Sequence, residues 1–413
     1  MRFKKFFKLI LFVLISFVVF LSQVYASNDI SITSLVVTSS AFKKVNIYVP
    51  KFKNEDKVAK NFTQLLRRAL NYHLFVLATP FKPISFDANT YEVSGSLEKN
   101  KNFVIVKAEL SQPAFNSILK KYKVRGPSKY PYLIAYYLCD KIIKEISGYQ
   151  GIAFSKVAFI KRTRIGDKLY ITDFIKAHPK SLDHSKFLLF PKFSLEGDKI
   201  AYLIYTPRGY TLRIFDLKTL KKLNFSISGL CSTPVWAPGG NSLFLTLSKH
   251  GKISIYKFDL KSKKLKLILT GHGVYQASSV SRDGKYLAYV YDLGVNKPKV
   301  YVINLKTGKH FRISIKGYDT CPRFSPKGDI LAYISKRHNG NFLVFVNLKN
   351  MKYTKIKLRL NIKYFCFSPT GDYILASGRG PQGRGIYLLH LDSGLSFLYL
   401  PGGEFLYPTW SRL

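Results

Sequence analysis

The sequence predicts an N-terminal α/β domain followed by an all-β six-bladed β-propeller. Two observations lead to this fold class: a strand–turn–strand hairpin returns at a steady period, and the hydrophobic pattern changes from helical to strand spacing near residue 150. In the clearest hairpin, at residues 324–333, Pro326 presets φ for a turn and Gly328 tolerates a positive φ. The turn glycines at 197, 240, 284, 328 and 371 are 43 or 44 residues apart. Such a period, with several strands in each unit, is typical of a propeller.

Each repeat contains an inner strand, the glycine turn and three further strands, which together make one blade. Six anchors mark the inner strands: Phe193, Trp236, Val280, Phe324, Phe367 and Trp410. In the earliest repeat, the second strand at residues 157–160 has no inner strand before it. In the latest repeat, the inner strand at residues 408–411 has no second strand after it. We therefore predict that these two segments pair and close the ring, which removes its free edges.

The region before the repeats mixes helical and strand periods, as expected for a small α/β domain. Helices are predicted at 54–73 and 131–146, the second ending at Gly148 as a C′ glycine. Strands are predicted at 30–37 (weakly), 45–49, 74–78, 91–97 and 103–110. The predicted boundaries are 1–26 for a signal peptide, 27–150 for the α/β domain and 151–413 for the propeller.

Residues 1–26 have the composition of a secretory signal peptide. Basic residues precede an apolar core at 9–21, and the V-Y-A sequence that ends at Ala26 is a suitable cleavage site. A retained membrane anchor is the alternative, but the apolar run is shorter than the roughly 20 residues that a span needs. We predict export across the inner membrane and cleavage after Ala26.

The chain is strongly basic, with 66 Lys and Arg against 23 Asp and Glu and a formal net charge of +43. Such a charge often indicates binding to nucleic acid, but the predicted export and the even spread of lysines over the repeats argue against this partner. Two interpretations stay open: a lysine bias on solvated faces, or attraction to anionic envelope surfaces or an acidic partner, which would allow peripheral association with the envelope. The cysteines at 139, 231, 321 and 366 are predicted to be free buried thiols.

No motif for catalysis, metal binding or cofactor binding emerges. There is no G-x-S-x-G sequence, and the eight histidines lack paired ligand spacing and are predicted mostly in turns or on the surface. The G-x-G-x-x-G letters at 378–383 precede strand-like residues 386–389, whereas a dinucleotide site needs a helix there. We predict no enzyme activity, no metal, no cofactor and no nucleic-acid partner.

Three stretches resemble the TolB family, the periplasmic component of Tol-Pal envelope systems. Residues 148–154 resemble the family's domain junction, the S-P-x-G hairpins resemble its blades, and residues 407–411 resemble its closing strand; the family's usual acid before the turn glycine is kept at Asp283. The resemblance implies a non-enzymatic periplasmic adaptor that binds the peptidoglycan-associated lipoprotein Pal through the propeller and the inner-membrane protein TolA through the N-terminal segment. It also implies a role in outer-membrane integrity and in constriction during cell division. The alternatives are a secreted propeller-containing hydrolase and a ligand-binding propeller with another partner.

The resemblance places Pal at one mouth of the central canal, where the loops that enter the inner strands gather. The predicted partner-binding residues combine hydroxyls, an amide, an acid and two tyrosines: Ser232, Thr233, Tyr275, Gln276, Asp319, Thr320 and Tyr407. The alternative is that they only cap the blades. The resemblance also predicts a TolA-binding arm freed by cleavage, for which an ordinary edge strand is the alternative: Ser27, Asn28, Asp29, Ile30, Ser31, Ile32 and Thr33.

Overall fold

The structure is a computed structural model that describes residues 32–34, 43–176, 178–229 and 231–412. The predicted signal peptide and residues 27–31 of the predicted arm lie outside the described residues. Strand β1 (Ile32–Ser34) runs parallel to residues 353–355 at the outer edge of a propeller sheet. In the described part of the chain, the helices are too short or too polar to cross a bilayer.

The region before the repeats is a five-stranded mixed sheet with helices. The helices are α1 (Glu55–Val58), α2 (Phe62–Asn71) and α3 (Pro131–Ser147). The strands, in sheet order β3-β2-β4-β5-β6, are β2 (Val45–Tyr48), β3 (Val76–Thr79), β4 (Thr90–Asn100), β5 (Phe103–Gln112) and β6 (Ser117–Pro127). A short 3-10 turn, Pro113–Phe115, separates β5 from β6.

Two elements of this region differ from the sequence-based prediction. The predicted helix at 54–73 is split into α1 and α2, because Asn61 takes a left-handed φ of 64°, a conformation that Asn tolerates better than most residues. Strand β6 was not predicted, because it is an edge strand whose side chains are largely exposed and basic, so it lacks a clear apolar alternation. Helix α3 ends as predicted at Gly148, which has a φ of 73°.

The repeats form antiparallel sheets of four strands, the arrangement of a β-propeller. One eight-stranded sheet divides into two such units, joined by a single parallel bridge between Ile253 and Val274. The first strands are β7 (Ser155–Thr163), β8 (Gly166–Asp173), β9 (Lys180–Ser185), β10 (Phe187–Phe193), β11 (Lys199–Thr206), β12 (Gly209–Asp216), β13 (Lys222–Ile227), β14 (Cys231–Trp236), β15 (Ser242–Lys249), β16 (Lys252–Asp259) and β17 (Leu265–Leu269).

The remaining strands continue the same order of inner to outer positions. They are β18 (Val274–Val280), β19 (Tyr286–Asp292), β20 (Lys299–Asn304), β21 (His310–Arg312), β22 (Tyr318–Phe324), β23 (Ile330–Arg337), β24 (Gly340–Asn347), β25 (Lys352–Leu358), β26 (Asn361–Phe367), β27 (Tyr373–Gly380), β28 (Gly383–His390), β29 (Ser396–Pro401) and β30 (Glu404–Arg412). Each unit is four strands in sequence, except that β30 joins β7, β8 and β9.

The hairpin turns have the predicted geometry. Gly328 has a φ of 107°, and its N–H donates to the Ser325 carbonyl at 3.2 Å, while the Ser325 N–H donates to the Ile330 carbonyl at 2.8 Å. The other four turn glycines also have positive φ values, between 66° and 80°. The recurring glycine is therefore required by the backbone, since residues with a Cβ adopt such angles only at a cost.

Each inner strand carries a β-bulge shortly before its anchor residue. The register shifts lie between Leu189 and Lys192 in β10 and at the equivalent places in β14, β18, β22 and β30, whereas the shift in β26 lies earlier, between Ile362 and Tyr364. Three bulges contain a residue of positive φ directly before a proline: Phe190, Cys321 and Tyr407. A bulge bends its strand and re-aims the side chains beside it, so these positions decide what faces the canal.

The pairing of β30 with β7 confirms the predicted contact between residues 408–411 and the strand at residues 157–160. Trp410 lies opposite Val157, and Leu406 lies opposite Ile160. The Trp410 indole N–H donates to Ser155 Oγ at 2.8 Å, and its ring stacks on Phe174 with centroids 4.8 Å apart.

We expect Trp410→Ala to lower the free energy of unfolding by about 3–5 kcal/mol, because it removes a large buried side chain from the closing strand. Trp410→Phe is the matched control: it keeps an aromatic ring on Phe174 and loses the hydrogen bond to Ser155, so the loss should be clearly smaller. Denaturant titration of both variants measures the difference. Equal midpoints for wild type and Trp410→Ala would show that the closing strand contributes little.

Candidate functional site

The predicted partner-binding residues lie inside the inner strands rather than in loops. Each inner strand continues beyond its bulge, so that Tyr275 pairs with Tyr291 and Thr320 pairs with Ile334. The prediction placed the strand starts too late, because the bulge interrupts the alternation of apolar residues that the sequence shows. The predicted loop location was therefore wrong.

Two of the seven residues are buried and cannot touch a partner in this structure. Thr233 is 3% exposed and Asp319 is fully buried. The Asp319 carboxylate lies 3.7 Å from Lys299 Nζ, and burial raises the pKa of Asp319 against the effect of the nearby Ser and Lys side chains. Both Asp319 carboxylate oxygens lack a hydrogen-bond partner among the described residues. Thr233 and Asp319 would have to become exposed before they could contact a partner, so the Pal contact proposed below does not include them.

The remaining five are half-buried and fall into two groups. The first group lies on the neighbouring strands β14, β18 and β22, where Gln276 Nε2 donates to Ser232 Oγ at 3.5 Å. Tyr275 packs on Tyr291 with ring centroids 4.6 Å apart. Tyr407 is on β30 and packs instead on Phe190, with centroids 4.5 Å apart. The structure thus brings together the residues of β14 and β18, but not Tyr407.

The interior of the ring contains a cationic group that the sequence analysis missed. We name it the canal cluster: Lys192 from β10, Arg323 from β22 and Tyr364 from β26. Lys192 Nζ lies 4.7 Å and Arg323 Cζ lies 4.6 Å from the centroid of the Tyr364 ring. A signal was present, since Lys192 and Arg323 each come directly before an anchor, Phe193 or Phe324, at equivalent places in their repeats.

Two of the eight histidines, which were predicted mostly in turns or on the surface, are buried. His73 is fully buried and His390 is 1% exposed. His390 Nδ1 lies 2.8 Å from Ser393 Oγ, and its ring packs on Tyr373 with centroids 4.6 Å apart. Both lie at the boundary between the α/β region and the propeller, where aromatic packing compensates for the loss of water.

His73 also belongs to a group that resembles a metal site: His73, Cys139 and Asp140 offer ligand atoms within 4.8 Å of one another. The hydrogen bonds exclude that role. His73 Nδ1 lies 3.0 Å from the Ala69 carbonyl, so it carries the proton, and Nε2 accepts from the Ile152 N–H at 3.1 Å. Burial lowers the pKa of His73 to about 4 and raises the pKa of the Cys139 thiol, so the imidazole is neutral with no free lone pair and the thiol stays protonated.

Asp140 has a structural role at the same junction. Its carboxylate accepts the Ala153 N–H at 2.8 Å and the Phe154 N–H at 3.0 Å, although burial raises the pKa of Asp140 to about 7. The chain also passes so close at Gly151 that a Cβ there would lie 2.2 Å from Asp140 Oδ1. Asp140 thus fixes the path between α3 and β7.

The glycine-rich segment at 378–383 forms a hairpin turn. Gly380 ends β27 and Gly383 begins β28, with a φ of 110° at Gly383. A strand follows, so no helix N-terminus is available to bind a pyrophosphate. The four cysteines are free as predicted, although Cys321 is only half-buried.

We expect Asp140→Ala to lower the free energy of unfolding by about 1–3 kcal/mol, because it leaves two buried backbone N–H groups without an acceptor. Lys141→Ala, at the exposed neighbouring position of α3, is the matched control and should change stability little. Thermal unfolding of both variants tests this. A wild-type melting temperature in Asp140→Ala would show that the junction does not depend on these bonds.

Comparison with known proteins agrees with this fold. Residues 143–413, more than half of the chain, match the family model described as "TolB beta propeller domain". The crystal structure of TolB from Acinetobacter baumannii superposes with a TM-score of 0.81 over 89% of this chain and 97% of that chain, and at 19% identity this likeness shows the fold alone.

Two curated relatives carry the name Tol-Pal system protein TolB. The protein of Desulfotalea psychrophila is 26% identical over 245 residues, which cover 54% of this chain and 55% of the relative. The protein of Ruthia magnifica is 34% identical over 188 residues, which cover 43% and 44%. The chain spans about half the length of the curated relatives it matches. On the extent of the family-model match, the chain belongs to the TolB β-propeller family.

Proposed function

We propose that this chain is a non-enzymatic adaptor of a Tol-Pal system, exported to the periplasm, where it supports outer-membrane integrity and constriction during cell division. The observation that carries the proposal is the family match over 143–413, together with relatives named as Tol-Pal system proteins. The proposed partners are a Pal-like lipoprotein and a TolA-like inner-membrane protein. The basic surface is consistent with peripheral attachment to the anionic envelope.

In this proposal the four-stranded units form six blades of one closed ring, and residues 27–150 form a separate α/β domain. Contacts between the inner strands support the ring: β10 contacts β14 and β30, β18 contacts β14 and β22, and β26 contacts β22 and β30. The parallel and antiparallel pairs of the β2–β6 sheet, covered by α2 and α3, support a distinct domain. Its core is nevertheless continuous with propeller residues such as Tyr373 and Trp410.

We place the Pal contact on the half-buried residues at the ends of β14, β18 and β22: Ser232, Tyr275, Gln276 and Thr320. Tyr275 supports this placement, because its ring is held against Tyr291 and retains part of its surface. A rigid tyrosine loses little entropy on binding and provides a large contact area. Tyr407 stays in the proposal as a second contact across the canal mouth.

We expect Tyr275→Ala to weaken binding to soluble Pal by about 2 kcal/mol, roughly 30-fold in Kd, as for an interface hot spot. Tyr137→Ala is the matched control, since Tyr137 is 43% exposed on α3, away from the inner strands. Titration calorimetry measures the affinities, with circular dichroism to verify folding. If Pal binds wild type but both variants retain full affinity, the contact lies elsewhere; if Pal does not bind wild type, the adaptor function itself is wrong.

The proposed TolA contact is the N-terminal arm, Ser27, Asn28, Asp29, Ile30, Ser31, Ile32 and Thr33. Its last two residues belong to β1, which pairs in parallel with β25. This pairing is what the alternative, an edge strand, requires. The paired segment has three residues, whereas a typical strand has about 5–6. A partner that offers a longer strand would therefore compete effectively for the same backbone groups.

We expect the exported protein to begin at Ser27, which intact-mass measurement would show, and we expect deletion of residues 27–33 to abolish capture by immobilised TolA. A variant with the order of these seven residues scrambled is the control for composition. Pal binding should be retained in both variants. TolA capture by the deletion variant at wild-type strength would remove the arm from the proposal.

A further inference from the structure

The canal cluster places two cations inside the ring at a distance from any balancing acid. Among the residues that the structure describes, Lys192 and Arg323 form no ion pair with a carboxylate. Arg323 is 6% exposed, and charge at that depth is costly without an anion or a full set of hydrogen bonds. The arrangement thus leaves a surplus of positive charge at the centre of the propeller.

Arg323 uses only part of its donor capacity on the protein. Its Nη1 donates at 2.6 Å to both the carbonyl and the hydroxyl of Ser278 and at 2.9 Å to the Pro322 carbonyl, while Nε donates to the Phe365 carbonyl at 3.3 Å. These contacts fix the guanidinium between β18, β22 and β26. Within the described structure, Nη2 donates to no protein acceptor, so one edge of the guanidinium group remains available to a ligand.

Tyr364 gives a second indication of a missing ligand. The residue is 7% exposed, and its hydroxyl is buried without a hydrogen-bond partner among the described residues. A buried hydroxyl without a partner costs about 1–3 kcal/mol, and such atoms usually mark the place of a water or ion. The hydroxyl belongs to the ring that Lys192 Nζ and Arg323 Cζ approach to 4.7 Å and 4.6 Å from its centroid, so the unused donors lie around one aromatic ring.

Lys192 contributes the second cation without a carboxylate partner in the described part of the chain. The residue keeps part of its surface accessible, as expected for a side chain that lines a central canal. Its main-chain carbonyl accepts the Trp236 indole N–H at 3.0 Å, which anchors the backbone. The ammonium contacts the Tyr364 ring and forms no hydrogen bond to the described residues, so its three protons can meet a ligand.

We propose that the canal cluster of Lys192, Arg323 and Tyr364 is a binding site for a small oxyanion of the sulfate or phosphate class. An ammonium, a guanidinium edge and a phenol lie around one ring, and these are donors that such anions bind. The anion would neutralise the two cations and satisfy the Tyr364 hydroxyl. The site lies between inner strands of different blades, so the anion would also hold these blades together.

The test is thermal unfolding of the mature protein at pH 6, where Lys192 is protonated, in low millimolar sodium sulfate against sodium chloride at equal ionic strength. We expect sulfate to raise the melting temperature of wild type, because a ligand that binds only the folded state stabilises it. Lys192→Met, which keeps the chain length and removes the charge, should abolish the difference, and Tyr364→Phe should reduce it. Lys261→Met, at an exposed turn, is the control for charge and for the general salting-out effect of sulfate.

The pH dependence of sulfate binding gives a second readout. Burial and then the Arg323 charge lower the pKa of Lys192 to about 7. Arg323, Tyr364, Cys321 and Cys366 are the other ionisable groups around it, and burial raises the pKa of Tyr364 and brings that of Cys366 to about 12, so neither loses its proton near neutrality. Sulfate keeps its charge throughout, so its Kd should rise about tenfold from pH 6 to pH 8 as the ammonium is lost.

Calorimetric titration with sulfate at the two pH values measures this change. Wild-type stabilisation no greater than that by chloride would overturn the proposal, as would an equal sulfate effect in Lys192→Met or a Kd independent of pH. Because none of these measurements uses Pal or TolA, they are independent of the proposed adaptor function.

Discussion

Closure of the propeller through β30 and β7 is the constraint on which the rest of the structure depends. A four-stranded unit alone leaves both faces apolar and both edges unpaired, so each unit is stable only between two neighbours. The chain meets this requirement by building the unit of β7, β8 and β9 from its start and its innermost strand from its end. Trp410 therefore contributes to three things at once: pairing with Val157, the hydrogen bond to Ser155 and stacking on Phe174.

The α/β region is attached to this closing unit, through Phe174, and to the neighbouring unit of β26–β29, through Tyr373 and Tyr399. Phe174 and Tyr399 stack with centroids 5.5 Å apart, and both contact Tyr72 at the end of α2. The Tyr373 hydroxyl donates to the His73 carbonyl at 3.0 Å, so a side chain from β27 ends on the backbone that follows α2. Because these contacts are buried and mostly aromatic, the orientation of the α/β region is coupled to the integrity of the ring.

The parts of the fold that the sequence predicts well are those where one residue type is required by local geometry. Gly328 and its equivalents must adopt positive φ, and Gly148 must end α3, so a single letter identifies each turn. The sequence fails where the local signal is weak or shared: Asn61 breaks a helix whose apolar period continues, and β6 is a polar edge strand. Asp319 was predicted in a loop at the canal mouth, whereas it is fully buried in β22, where Lys299 Nζ from another strand lies 3.7 Å from its carboxylate.

The canal cluster shows why a site inside a propeller is difficult to predict from sequence. Lys192 and Tyr364 are 172 positions apart, and neither belongs to a recognisable motif. Lys192 lies directly before its anchor Phe193, whereas Tyr364 lies three residues before Phe367, so only the arrangement of the inner strands brings the two side chains together. A single basic residue at either position would not indicate a site. Lys192 and Arg323 are far apart in the sequence, but the fold places both beside the Tyr364 ring, so their positive charges are concentrated in one small volume.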